Sequence, residues 1–302
     1  MKSDAADLAS VVATRLGGEW TVRRANASSF CETWIARSQQ QSIFLKSVAL
    51  SHAHVLESEA DGLSALKATN TIRVPDVVGC WSADQHQLLA LEWLEFAPAD
   101  ATFGRRFGNA LARLHAAQPA GEGAFGWHRD NMLGGTRQVN AWSRDSGLAG
   151  WIEFLSRSRF GALRSLLSNA DAPTSLLDSL DQIIASLTEF FRDGHEPRAS
   201  LIHGDLWSGN WGMLSDGTPV IYDPAVSCAD AEAELAMMEL FGNFPLGFLS
   251  AYRELMPLAL GYAWRRELYQ LHHLLNHVVL FGGSYVQRAS ASARSVLASL
   301  KK

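Results

Sequence analysis

Apolar residues recur along this chain with two periods, and the switch between them divides it. Leu8, Val11, Val12 and Leu16 repeat at helical spacing and stop at Gly17-Gly18, which predicts a short helix over residues 8–16. Residues 20–24, 33–37 and 43–48 read as strands, with Gln39, Gln40 and Gln41 turning the chain between the last two. Residues 56–68 return to the helical period. Leu56, Leu63 and Leu66 share one face, and Glu57, Glu59 and Asp61 are exposed or functional. Two more strands are predicted at 77–81 and 88–94. From Thr102 onward helices dominate, at 107–117, at 176–191 (Leu177, Leu180, Ile184, Leu187, Phe191) and throughout 234–300. Short β runs at 201–203 and 220–222 interrupt them. Pro98 marks a boundary near residues 95–100. The prediction is an α+β, bilobal chain: a β-rich N-lobe over residues 1–95, with an antiparallel sheet plus helix, and a mostly helical C-lobe over 96–302. No internal repeat or low-complexity tract is visible.

Composition removes several function classes. The chain has 302 residues, enough for two lobes around a cleft. Its net charge of −5 and lack of a Lys/Arg run argue against nucleic-acid or membrane-surface partners. Cys31, Cys80 and Cys228 are scattered and odd in number, as expected of reduced thiols in a cytoplasm. No apolar run suggests a signal peptide or a membrane span.

The candidate chemistry lies in His203-Gly204-Asp205-Leu206-Trp207-Ser208-Gly209-Asn210. Asp-x-x-x-x-Asn is the spacing of kinase catalytic loops, where the Asp is the base and the Asn a Mg²⁺ ligand. The spacing alone is weak. Its partners appear in order: Lys46 after the apolar residues Ile43-Phe44-Leu45, Glu59 on the next helix, and Asp223 after Val220-Ile221-Tyr222. A hairpin over residues 210–223 would bring Asp223 beside Asn210, and two oxygen ligands there suit Mg²⁺. Lys46 would hold the phosphates of ATP, oriented by Glu59, with Glu57 as the competing partner. The N-lobe would then cover ATP. The phosphate-covering turn falls at residues 25–31 and lacks glycine, so Ser28 and Ser29 are the candidate phosphate contacts. Glu92-Trp93-Leu94 should form the hinge, with backbone groups of Glu92 and Leu94 binding the adenine edge. Together these features predict a protein-kinase-like fold.

With these residues identified, the sequence resembles the fructosamine kinase family, also called ketosamine kinases, relatives of aminoglycoside phosphotransferases and choline kinases. The resemblance runs from about residue 20 to 285, and Trp207 after the Asp-Leu pair is its most telling residue. Phe125-Gly126, Asp130-Asn131, Asp223-Pro224-Ala225, Phe241-Gly242 and Phe281-Gly282-Gly283 also match. The resemblance implies ATP-dependent phosphorylation of a sugar hydroxyl on small-molecule or protein-bound ketosamines, releasing the amine from glycated lysines. Asp205 would be the base and Trp207 would line the sugar pocket. The chain departs from the family pattern after Val226, where Ser227-Cys228-Ala229-Asp230 replaces two aromatic residues and a glycine. Asp230, in this altered stretch, is taken as a substrate contact. Glu234 stands where the family usually has Asp and is expected to support the site from behind rather than touch the substrate.

Other features have plainer readings. His273 and His277 share a helix face, but without a third ligand they are expected to pack or face solvent. Cys31 is expected to be a silent small residue rather than a redox switch. A monomer or weak dimer is expected. The competing functions are an aminoglycoside- or choline-type kinase of the same fold and a nucleotide-binding module without catalysis. The latter predicts loss of Lys46, Asp205, Asn210 or Asp223, and none is missing.

Overall fold

The period-two runs of the first hundred residues form one antiparallel sheet. The structure, a computed structural model, describes residues 4–27, 31–117, 123–242 and 244–300. Helix α1 (Ala5–Leu16) starts at Asp4, whose side chain accepts the Ala6 N–H at 2.8 Å. Strands β1 (Thr21–Ala27), β2 (Glu32–Arg37) and β3 (Ser42–Ala49) follow, then α2 (Ala53–Ala68), β4 (Val77–Ala83) and β5 (His86–Glu92). The sheet order is β1-β2-β3-β5-β4, with every neighbouring pair antiparallel.

Side-chain alternation along β3 and β5 feeds two cores. Ile43, Leu45, Leu88 and Ala90 pack with Leu8, Val12, Trp20 and Trp34 beneath α1. Val48, Leu89 and Leu91 face the other way, onto Leu56, Leu63 and Leu66 of α2. Lys46 has the parity of Val48, so the pleat turns it toward α2.

The chain then runs through β6 (Phe96–Ala97), α3 (Phe103–Ala116), the hairpin β7 (Asn131–Leu133) and β8 (Thr136–Gln138), and α4 (Gly147–Phe154). A π-helical segment, Leu155–Gly161, joins α4 to α5 (Ala162–Asn169). Helix α6 (Thr174–Ala185) stops at Ser186, and a 3₁₀ turn, Leu187–Phe191, completes the stretch predicted as one helix. Strands β9 (Ala199–Ile202), β10 (Trp211–Leu214), β11 (Pro219–Ile221) and β12 (Ser227–Asp230) precede α7 (Ala231–Leu240), α8 (Phe248–Leu255), α9 (Tyr262–Phe281) and α10 (Ser284–Ser299). The region predicted as helical throughout is thus broken between α7 and α8, between α8 and α9, and at Gly282-Gly283, where φ is +57° and +53°.

Three small strand pairings position the chemistry. β10 pairs with both β11 and β6, so the chain joins a second sheet immediately after Glu95. β9 pairs with β12, and Arg73 bridges to Val220. The ends of the apolar runs at 201–203 and 220–222 meet through the His203 side chain, whose Nε2 contacts the Tyr222 carbonyl.

Candidate active site

Lys46 reaches two carboxylates. Its ammonium donates to Glu59 Oε1 at 2.7 Å and to Asp223 Oδ1 at 2.7 Å. The choice between Glu57 and Glu59 follows from helix geometry. Glu59 is three residues from Leu56 and four from Leu63, so it shares their buried face. Glu57 turns outward to Arg129, 3.3 Å away. Burial works against the Lys46 charge, but Asp223 and Glu59 outweigh it and hold its pKa above the ordinary range. Burial, with Asp223 adding like charge, pushes the Glu59 carboxyl up against the pull of Lys46.

The segment 203–210 folds as a tight loop between β9 and β10. Asn210 donates its side-chain N–H to the Asp205 carbonyl at 2.8 Å and to Asp205 Oδ2 at 3.3 Å. That orientation leaves Asn210 Oδ1 as an acceptor. The β10–β11 hairpin then returns the chain, and Tyr222 N–H donates to the Asn210 carbonyl at 3.0 Å. Asp223 is therefore next to Asn210, and it sits in the left-handed region at φ +59°, uncommon for a residue other than glycine.

The two segments are laced together. Ala225 N–H donates to the His203 carbonyl at 2.8 Å, and His203 Nε2 lies 2.8 Å from the Tyr222 carbonyl. Gly204 has φ +84°, and a Cβ there would lie 2.1 Å from the Ala225 oxygen, so the approach requires glycine. Glu234, buried on α7, accepts the N–H groups of His203 and Gly204 at 2.5 and 3.0 Å. Burial, with the charges of Asp223 and Glu234, pushes the Asp205 carboxyl up to about 8 despite the Asn210 hydrogen bond.

A cleft of about 380 Å³ opens beside Asp205, lined also by Trp207, Met237, Phe241, His277 and Tyr285. Trp207 is 39% exposed at this cleft, a flat apolar face in reach of a ligand. The His277 ring packs against Phe241 and Tyr285 with centroids 4.9 Å apart, and its Nδ1 is 2.8 Å from the His273 carbonyl. The pairing of His273 with His277 is therefore a side-chain-to-backbone contact one turn apart within α9, and both residues line the cleft.

Some sequence expectations fall elsewhere. Asp230 does not face the cleft. It is buried, caps α7 through the Glu232 N–H at 3.2 Å, and accepts from Tyr269 OH at 2.7 Å with His195 Nε2 at 2.9 Å, so its oxygens are already used. Glu92 gives its N–H to the Asp76 carbonyl at 2.9 Å and its carboxylate to Arg73, so that N–H cannot meet an adenine. Leu94 lies in the non-strand linker between β5 and β6. Ser28 and Ser29 lie outside the described residues.

Comparison with known proteins decides the family. The fructosamine kinase family model matches residues 7–299. The chain belongs to the fructosamine kinase family. A relative from Synechocystis named "Probable ketoamine kinase" is 39% identical, over 85% of this chain and 84% of its own. A "Protein-ribulosamine 3-kinase, chloroplastic" from Oryza sativa subsp. indica is 36% identical, over 86% of this chain and 74% of its own. The solved structure of a candidate fructosamine-3-kinase from Thermobifida fusca superposes with a TM-score of 0.82 at 31% identity, covering 96% and 98% of the two chains. An aminoglycoside phosphotransferase in complex with ADP and hygromycin B is 11% identical with a TM-score of 0.69, which shows a shared fold. This fructosamine kinase family member has the protein-kinase-like fold, sheet-rich at its N-terminal end and helical at its C-terminal end. Membership in a kinase family implies use of ATP.

Sequence reasoning did not pick out Met237, Phe241, His277 and Tyr285 as cleft residues of this kinase. Met237 and Phe241 share one face of α7 and its end at a spacing of four, and the segment 241–242 already matched the family. That coincidence of face and family match was the available signal.

Proposed function

We propose that this chain uses ATP to phosphorylate a sugar hydroxyl on ketosamines, on small molecules or on glycated protein side chains. Family membership favours this acceptor over aminoglycosides or choline. The observation that carries the chemistry is Asp205 standing between two sets of groups. On one side lies the Lys46, Glu59, Asn210 and Asp223 cluster; on the other is the aromatic cleft with Trp207.

In this reading the lobes divide near residues 95–96, and ATP lies between them. Lys46 binds the phosphates, held by Glu59. Leu94 presents backbone to the adenine edge. Asp205 accepts the acceptor hydroxyl proton as the oxygen attacks the γ-phosphorus, the bond from that phosphorus to the β,γ-bridging oxygen breaks, and ADP leaves, while Trp207 lies against the C–H face of the sugar. Phosphoryl transfer of this kind depends on alignment and charge neutralisation more than on covalent participation by the protein. Asn210 Oδ1 and Asp223 supply one amide and one carboxylate oxygen, a donor set that suits Mg²⁺. Bound there, Mg²⁺ supplies positive charge for the phosphate oxygens. Among the described residues no helix is long and apolar enough to cross a membrane. A cytoplasmic location accords with that.

The test offers ATP and Mg²⁺ with ribulosamines, erythrulosamines and fructosamines, beside aminoglycosides and choline. Phosphate transfer to the ketosamines is expected. Transfer only to an aminoglycoside or to choline sinks the reading.

A further inference from the structure

A second groove, with an apolar floor and a rim of donors, lies where the segment before β4 meets α3 and β11. It encloses about 290 Å³ and is lined by Thr71, Arg73, Arg106, Asn109, Arg113 and Thr218, with no carboxylate among its lining residues. That volume is near the lower end of the ~300–1,000 Å³ typical of small-molecule sites. Arg106, Asn109 and Arg113 recur at spacings of three and four, so α3 turns all three toward the groove. Among the described residues, the side chains of Arg113 and Asn109 have no hydrogen-bonding or ion-pair partner. The groove thus offers a free guanidinium and a free amide beside two hydroxyls, a donor-rich lining suited to phosphate oxygens.

Arg73 connects this groove to the ATP cleft. Its guanidinium holds Glu92, the last residue of β5. Its carbonyl accepts the Ile221 N–H at 3.0 Å, two residues before Asp223. The same guanidinium also meets Asp76 at 3.3 Å, so an anion in the groove would compete with both carboxylates for it and loosen the start of the linker between β5 and β6.

We propose that this groove binds the phosphate group of a small organic phosphate, and that its occupancy weakens ATP binding through Arg73. The effect on ATP rests on the ATP reading of the cleft; binding in the groove does not. The probe is inorganic phosphate. Calorimetry would first titrate phosphate alone into the chain and into Arg113→Ala, an exposed change, with thermal unfolding confirming that the variant is folded. ATP would then be titrated, without acceptor, in phosphate and in chloride of equal ionic strength. The expected result is phosphate binding that Arg113→Ala abolishes, and a Kd for ATP raised about fivefold by phosphate in the parent chain only. Phosphate binding unchanged by Arg113→Ala overturns the site. Equal weakening of ATP in both proteins overturns the coupling, since it marks competition within the ATP cleft. ATP binding by the variant in chloride reads the cleft assignment separately.

Discussion

Glu234 accepts the N–H of Gly204 at 3.0 Å, while its other oxygen accepts the N–H of His203 at 2.5 Å. One buried carboxylate thereby fixes the backbone that leads into Asp205. Glu234→Ala would leave the buried N–H of His203 and the half-buried N–H of Gly204 unpaired, each costing about 1–3 kcal/mol. The variant should lose about 2–6 kcal/mol of stability in urea unfolding, on the same basis. Its kcat should fall more than its affinity for ATP. Glu234→Asp should lie between, because the shorter side chain keeps the charge and loses reach. An Ala variant with unchanged unfolding and turnover would remove Glu234 from this role.

Asp205→Asn should lower kcat by about 10²–10⁴, the range for loss of a general base. ATP affinity should change little, because Lys46 with Glu59 and Asp223 remains in place. Rapid-quench measurement of the transfer step with a ketosamine acceptor, together with ATP calorimetry, would check both statements. Near-normal turnover in this variant would assign the proton to another group.

The parts of the site that could be read from the sequence are those fixed by local rules. Strand parity places Lys46 opposite α2, and the three- and four-residue spacing to Leu56 and Leu63 selects Glu59 over Glu57. Asp223 reaches Asn210 through an ordinary hairpin of β10 and β11. Asp230 misled because its role is tertiary: the side chain caps α7 and meets His195 and Tyr269, partners 35 and 39 residues away. Nothing in its local sequence separates a capping Asp from a substrate contact. The breaks in the last third of the chain were obscured for a related reason. The positive-φ glycines at 247, 282 and 283 mark the start of α8 and the junction of α9 with α10, and a glycine's φ is not written in the spacing of apolar residues around it.

Gly209 stands against the Trp207 indole. A Cβ at this position would lie 2.4 Å from its Cη2 atom, so the ring must move if alanine is introduced. Gly209→Ala should therefore shift Trp207 in the aromatic cleft proposed for the acceptor while leaving the Lys46 cluster intact. The expected kinetic pattern is a KM for the ketosamine raised at least several-fold, with the KM for ATP unchanged. Tryptophan fluorescence should report the changed ring environment. An equal rise in both KM values would mean that the whole loop had moved.

His195 gives a pH dependence of stability with a defined sign. Burial opposes its protonation, but the hydrogen bond to Asp230 and the charge of Asp230 and Glu232 prevail, so its pKa is raised from the ordinary 6.5. Glu232 is itself held by Arg265, at 2.7 Å, and Arg265 also meets Asp193 at 2.6 Å. The group is thus an ion-pair network around the start of α7. A His whose folded pKa is raised binds its proton more tightly in the native state than in the unfolded chain. The stabilisation is fully present below about pH 6.5, the unfolded value, and is lost as pH rises through the folded value. His195→Asn should be most destabilising at pH 5–6, and the difference from the parent chain should shrink toward alkaline pH. Urea unfolding of both proteins at several pH values measures it. A difference that grows with pH would reverse the sign and show that His195 is neutral beside Asp230.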